Sequence, residues 1–123
     1  MDELLHIDEE LFEIKNRSER FPFPAITVGD RCLYFNICAQ DYLRKIKATH
    51  FKFYTSTTLV IIEPLTHKMI NSFSMQTCEG RVGVLGVPAA LREKKIKRGS
   101  YKLFKCDKGL VFKRYEPLEV EGE

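Results

Sequence analysis

The most reactive side chains of this sequence are its cysteines, and their spacing does not fit a metal site. They are Cys32, Cys38, Cys78 and Cys106, and no two of them form a Cys-x-x-Cys pair. Structural zinc sites need such close pairs, because one tight turn must present two thiolates to the metal. We therefore expect reduced, mostly buried thiols, no bound metal and no other cofactor.

Catalytic motifs are missing from the sequence. There is no phosphate-cradling glycine loop, no nucleophile elbow and no zinc-protease helix. Glu63 and His67 lie four residues apart, but this spacing is common by chance. A pairing of His50 with Cys32 or Cys38 stays open, since catalytic partners meet in space and not in sequence. The sequence predicts a protein that is not an enzyme.

Charge is distributed unevenly along the chain. The formal net charge is +3, yet residues 1–20 carry −4 and residues 116–123 carry −4, which leaves +11 for residues 21–115. The densest basic cluster comprises Arg92, Lys94, Lys95, Lys97, Arg98 and Lys102. Such a cluster is typical either of a surface that binds a polyanion, nucleic acid above all, or of a solvated face that keeps a small domain soluble. Both interpretations stay open at this point.

The apolar segments and the N-terminus bear on location. The longest apolar run, residues 58–62, has the length of a strand and is far too short for a membrane span. The N-terminus is acidic, whereas a secretory signal starts with basic residues followed by apolar ones. We therefore expect a cytoplasmic protein without a membrane partner.

The chain repeats itself at a shift of fifty residues. The identical pairs include Thr27 with Thr77, Arg31 with Arg81, Ala39 with Ala89, and Lys45-Ile46-Lys47 with Lys95-Ile96-Lys97. The match runs without a gap over residues 27–54, and apolar positions agree between the identities. A shared apolar spacing of this kind indicates two copies of one structural unit.

Each copy predicts a strand, a short helix and a β-hairpin, in that order. The first copy has a strand at 32–36, a helix at 39–45 and hairpin strands at 51–54 and 59–62; the second has them at 81–85, 89–95, 101–104 and 110–113. Pro88 suits a helix start, since its missing N–H would have no partner there anyway. The expected fold is mainly β with short helices, an α+β arrangement of two β-α-β-β repeats.

Composition divides the chain into four parts. Residues 1–26 form an acidic segment and a proline-containing linker, residues 27–66 the first repeat, residues 67–117 the second repeat, and residues 118–123 an acidic tail that we expect to be loose. Both repeats are expected to form a single domain. Within the first part, residues 11–15 fit a strand and one face of a helix equally well.

The second copy contains a recognisable series of short motifs. It has Gly80-Arg81-Val82, then Val87-Pro88 with a Leu- and Arg-containing segment, then Gly99 and the hairpin. This series resembles the AbrB/SpoVT family of bacterial swapped-hairpin DNA-binding domains. The resemblance implies one pseudo-twofold swapped-hairpin barrel built from two tandem copies, as in MraZ-like proteins. It also implies that Arg31 and Arg81, at the strand starts, contact DNA.

The first copy departs from the family pattern. Asp30 precedes Arg31 where the family has glycine, and Cys38 stands in place of the proline. These departures affect the DNA-contacting loop more than the fold. The layout is similar as well to small two-repeat proteins of bacterial and phage genomes.

Two functions fit this sequence. The first is a DNA-binding protein, similar to a transcription regulator, whose contacts come from Arg31, Arg81, Arg92, Lys94, Lys95, Lys97, Arg98 and Lys102. The alternative is a protein-interaction module, such as a phage- or mobile-element-encoded regulator or inhibitor of a host protein. A monomer and a homodimer are both possible, because interleaved hairpins close within one chain or by exchange between two.

Overall fold

The secondary structure is mainly β. The structure is a computed structural model that describes residues 6–8, 21–78 and 81–120. Within these ranges two short helices accompany the strands, which confirms the expected mainly β fold. Neither helix in these ranges combines the length and apolar character needed to cross a membrane. Residues 11–15 lie outside the described ranges.

The strands form two antiparallel sheets. In chain order the elements are β1 (Ile7–Asp8), β2 (Ala25–Val28), β3 (Cys32–Phe35), α1 (Ile37–Lys45), β4 (His50–Thr55), β5 (Leu59–Leu65), β6 (Phe73–Ser74), β7 (Gln76–Cys78), β8 (Arg81–Leu85), α2 (Val87–Glu93), β9 (Gly99–Lys102), β10 (Phe104–Cys106), β11 (Gly109–Lys113) and β12 (Glu119–Val120). The first sheet has the spatial order β1-β10-β11-β5-β4-β6, and the second has β12-β9-β2-β3-β8-β7.

Both sheets join the two halves of the chain. In the second sheet β3 pairs with β8 and β2 with β9; in the first, β5 pairs with β11 and β4 with β6. In each of these pairs, one strand comes from the first half of the chain and the other from the second half. The described strands do not close into one continuous barrel, because each sheet ends in two edge strands.

Leu103 is the corner at which the second hairpin passes from one sheet to the other. β9 ends before it in the second sheet, and β10 begins after it in the first. Its amide donates to the Pro24 carbonyl at 3.0 Å, and its side chain is buried. The single strand predicted for residues 101–104 is therefore wrong, because the corner divides it between two sheets.

One hydrophobic core takes side chains from both sheets and both helices. Phe35 of the second sheet packs on Phe51 of the first, with ring centroids 5.2 Å apart. Tyr101 packs in the same way on Phe112, at 4.6 Å. The buried Tyr101 hydroxyl donates to the Lys97 carbonyl at 2.6 Å, so this polar group is satisfied inside the core.

Asn36 makes α1 begin two residues before the predicted start. Its side-chain Oδ1 accepts a hydrogen bond from the Ala39 amide at 2.9 Å, which caps the helix. The same oxygen accepts from the Ala25 amide at 3.0 Å, and Nδ2 donates to the Phe23 carbonyl at 2.8 Å. One side chain therefore fixes both the helix start and the preceding linker.

Each helix is followed, two residues after its last residue, by a lysine with left-handed backbone. These are Lys47 (φ 58°) and Lys95 (φ 63°), and in each case the next amide donates to the carbonyl of a buried leucine, Leu43 or Leu91. This is the hydrogen bond of a helix-terminating motif. The helix starts, Ile37 and Val87, are fifty residues apart and agree with the match at fifty, whereas the left-handed lysines are forty-eight apart, because α2 is two residues shorter than α1.

The C-terminal tail is attached to the second sheet at two residues. Glu119 and Val120 lie opposite Ser100 and Gly99 of β9, and the Leu118 amide donates to the Ser100 carbonyl at 2.7 Å. The expectation of a loose tail is wrong at this point, because the edge of β9 supplies backbone partners.

Candidate nucleic-acid interface

The basic cluster predicted from sequence forms an exposed turn after α2. We call residues 92–98 the basic turn. Leu91 and Ile96 are buried in the core, and they fix the chain on both sides of the left-handed residue Lys95. Lys94, Lys95 and Lys97 are exposed, since the chain between the two buried anchors projects outward.

Asp30 holds the two arginines of the basic turn. The Arg98 Nη1 lies 2.5 Å from Asp30 Oδ1, and Arg92 Nη1 lies 4.0 Å from the same oxygen. Arg92 Nη1 also donates to the Asp30 backbone carbonyl at 2.7 Å. Because the Asp30 side chain is 76% exposed, each pair contributes only about 0–1 kcal/mol to stability. The carboxylate orients the guanidinium groups more than it stabilises the fold.

Arg31 adjoins this cluster, whereas Arg81 does not. Arg31 is exposed, follows Asp30 in the β2–β3 turn, and accepts the Gly86 amide at its carbonyl at 2.9 Å. Arg81 lies five residues before Gly86 on β8, roughly 17 Å along an extended strand. Its guanidinium stacks over the Tyr34 ring at 4.2 Å. The two arginines matched by sequence therefore lie at opposite ends of the β3–β8 pair.

Lys102 lies apart from the basic turn. It is on β9 opposite Ala25, and its ammonium is 5.2 Å from the ring centroids of both Phe23 and Phe104. Stacking on two aromatic rings directs it toward the linker and β10. Five of the eight predicted residues therefore belong to the basic turn, namely Arg92, Lys94, Lys95, Lys97 and Arg98, and a sixth, Arg31, follows Asp30, which contacts that turn.

Arg114 holds the basic turn in place, and sequence analysis gave it no such role. Its Nη2 donates to the Lys94 carbonyl and its Nη1 to the Ser56 carbonyl, the latter at 2.6 Å. Its Nε is buried without a hydrogen-bond partner among the described atoms. Arg114 thereby ties the end of α2 to the β4–β5 turn.

The potentially reactive side chains do not assemble with this surface. Cys32 and Cys38 are buried free thiols, and Cys106 is a half-buried one. His50 Nδ1 lies 2.9 Å from the Thr49 hydroxyl. Among the described residues, no three His, Cys, Asp or Glu side chains are grouped so that they could hold a metal ion.

None of the family models, curated proteins or solved structures compared with this chain matches it. We therefore infer its function from its own residues. Chemically, the basic turn offers guanidinium groups for paired hydrogen bonds and ammonium groups as point charges, and both suit phosphate oxygens.

Proposed function

We propose that this protein is a small non-enzymatic DNA-binding regulator of the cytoplasm that contacts duplex phosphates through the basic turn. The observation that carries the proposal is the basic turn itself, in which five cations lie close in sequence and Arg92 and Arg98 contact Asp30, the residue directly before the exposed Arg31. No sequence motif required residues 30 and 92–98 to meet. The five cations together produce a concentrated positive field, which attracts a polyanion.

Asp30 has a defined part in this proposal. A guanidinium has five N–H donors, so Arg92 and Arg98 keep donors for phosphate, because each contacts Asp30 through its Nη1 alone. Phosphate contacts from such residues position a protein on DNA without reading its sequence. The expected binding is therefore strongly dependent on salt and only weakly dependent on sequence.

We further propose that the two repeats exchange strands in a pseudo-twofold swapped-hairpin arrangement related to the AbrB/SpoVT domains. Support comes from the pairing of β2 with β9 and of β4 with β6, in which each repeat supplies a strand to the other. In such an arrangement Arg81 belongs to the far end of the β3–β8 pair, away from the basic turn.

The test is fluorescence anisotropy with a short labelled duplex between about 50 and 200 mM salt. Three to five phosphate contacts give a slope of about −3 to −5 in log K against log salt. Replacing Arg92→Ala with Lys95→Ala should weaken binding at least about tenfold and flatten the slope by about 2. A matched control is Lys105→Ala with Lys108→Ala, which removes the same charge from the β10–β11 hairpin.

Two results would overturn the proposal. One is the absence of binding at the lowest salt concentration. The other is an equal loss in both double variants, because that would show a dependence on net charge and not on the basic turn. Far-UV circular dichroism of each variant excludes misfolding as the cause.

A protein-interaction module is the second candidate, and one observation favours it. Leu85 is 50% exposed and lies opposite Cys32, next to Arg31. An apolar side chain beside arginine is typical of a protein–protein contact, and Asp30 lowers the charge offered to DNA. Affinity capture that recovers one protein with the natural chain, but not with Leu85→Asp, would support this function; equal capture by both would refute it.

A further inference from the structure

The strand β12 runs toward the end of the second sheet at which the basic turn lies. In its antiparallel pair with β9, Glu119 lies opposite Ser100 and Val120 opposite Gly99. Gly99 directly follows the last residue of the basic turn, so the chain leaves β12 beside that turn. The Leu118 amide donates to the Ser100 carbonyl at 2.7 Å and holds the acidic tail in this register.

The residues that follow β12 are acidic at alternate positions. Glu121 and Glu123 continue a series that begins with Glu119, and residues 116–123 contain no base. Residues 121–123 lie outside the described part of the chain. An extended chain places alternate side chains on one face, so a continuation of β12 would present both carboxylates on the same side.

The step from the end of β12 to the basic turn is short. Opposite residues of antiparallel strands have Cα atoms about 4.5–5.5 Å apart, and consecutive Cα atoms lie about 3.8 Å apart. The Cα atoms of Glu121 and Arg98 are therefore at most about 13 Å apart, whatever direction the chain takes after Val120. An extended glutamate and an extended arginine side chain together bridge such a distance.

The basic turn keeps positive charge that the described carboxylates do not neutralise. Asp30 shows that this surface binds a carboxylate, because its Oδ1 lies 2.5 Å from Arg98 Nη1. It approaches from the β2 side of β9, and β12 lies on the other side. Lys94, Lys95 and Lys97 are exposed, and none of them forms an ion pair with a carboxylate of the described residues. These lysines therefore have charge to offer a second group of carboxylates.

We propose that the acidic tail is an internal competitor of DNA, in which Glu121 and Glu123 contact Arg98 and Lys97 until phosphates displace them. This inference rests on the proposed DNA binding and adds a regulation of the same site. Exposed ion pairs are weak and are screened by salt. The tail therefore lowers the affinity for DNA without abolishing binding, and DNA releases the tail from the basic turn.

Nuclear magnetic resonance of the full chain without DNA tests the contact itself. Glu121→Gln with Glu123→Gln, the tail variant, should shift the backbone amide signals of Lys97 and Arg98, because two neighbouring charges are lost. The differences should shrink at about 1 M salt, where the Debye length is about 3 Å. Signals at both amides that are the same in the tail variant and the natural chain would overturn the proposal.

A matched control removes two carboxylates far from the tail. Glu63→Gln with Asp107→Asn takes the same charge from β5 and the β10–β11 hairpin. Both replacements keep an oxygen that accepts a hydrogen bond, from the Tyr54 hydroxyl and the His6 amide respectively. If the amides of the basic turn responded equally to both double variants, the cause would be net charge and the contact would be refuted.

Fluorescence anisotropy with the labelled duplex tests the competition. The tail variant should bind about three- to tenfold more tightly than the natural chain at about 50 mM salt, because two weak ion pairs no longer oppose the phosphates. The control variant should stay within about twofold of the natural chain, since its lost charges are remote and screened. Equal affinities of the tail and control variants would overturn the competition while DNA binding stands. Absence of binding by all three proteins would instead refute the proposed function, and the competition with it.

Discussion

Replacing Asn36 with alanine removes one side chain that serves two segments of the chain. The change deletes the cap of α1, the acceptor of the Ala25 amide and the donor to the Phe23 carbonyl. Loss of a helix cap costs about 1 kcal/mol. Ala25 is 2% exposed, so its amide is left without a partner away from water, which costs a further 1–3 kcal/mol or so. We expect the free energy of unfolding to fall by about 2–4 kcal/mol.

Urea unfolding followed by far-UV circular dichroism measures this loss, since the chain has no tryptophan. Asn36→Asp is the informative control, because it keeps the oxygen that accepts from Ala39 and Ala25 and loses only the donor. It should cost about 0.5–1.5 kcal/mol, the net value of an ordinary hydrogen bond. Gln40→Ala, which removes a single donor to the Phe35 carbonyl, should cost a similar amount.

Two outcomes would refute the reasoning about Asn36. If Asn36→Ala had a free energy of unfolding within about 0.5 kcal/mol of the natural chain, the three contacts would not be coupled to folding. If Asn36→Asp were as unstable as Asn36→Ala, the decisive contact would be the Nδ2 donor and not the cap.

Three further predictions follow from the backbone and from one thiol. Gly83→Ala should abolish cooperative unfolding, because the added methyl group would overlap the Leu33 carbonyl between β3 and β8; a normal urea transition would contradict this. Lys47→Gly and Lys95→Gly should each raise the free energy of unfolding by about 0.5–1 kcal/mol, because glycine suits left-handed backbone, while only Lys95→Gly should weaken DNA binding. A lowered urea midpoint in either variant would count against this. Burial raises the pKa of the Cys106 thiol, so the folded state holds this proton more tightly than the unfolded state. The associated stability is present below the ordinary thiol pKa of about 8.5 and is lost as pH rises through the higher folded pKa. Cys106→Ser should therefore lose stability less steeply than the natural chain above that pH; parallel curves would contradict the assignment.

The repeating elements could be predicted from sequence because their signals are local. The strand at Cys32–Phe35 and the hairpin strand at Gly109–Lys113 follow from apolar runs bounded by turn residues. The start of α1 was placed two residues too late, because the prediction followed apolar spacing, whereas the helix start is set by the cap that Asn36 provides to the Ala39 amide. The contacts of Asn36 with Ala25 and Phe23 are more than ten residues away in sequence, and apolar spacing does not reveal them.

Most residues of the candidate interface could be predicted from sequence, but their contacts with one another could not. The basic turn is continuous in sequence, so its lysines were found directly. Its connection to Asp30 spans more than sixty residues and depends on where the β2–β3 turn lies beside α2. Lys102 was grouped with the turn by proximity in sequence, and stacking on Phe23 and Phe104 instead separates it. The corner at Leu103 was not predicted either, because the passage of the hairpin from one sheet to the other depends on strand pairing and not on the local sequence.

The pairing of β2 with β9 has a consequence for the synthesis of the chain. Thr27 meets Ser100, a separation of 73 residues, through side-chain hydroxyls 3.0 Å apart. At roughly 5–20 residues per second, the ribosome needs about 4–15 seconds to produce β9 after β2 has been made. During this interval the β2 edge that later pairs with β9 has no strand beside it, and unpaired edges invite intermolecular pairing. The order of translation thus exposes the first repeat before its own chain can protect it.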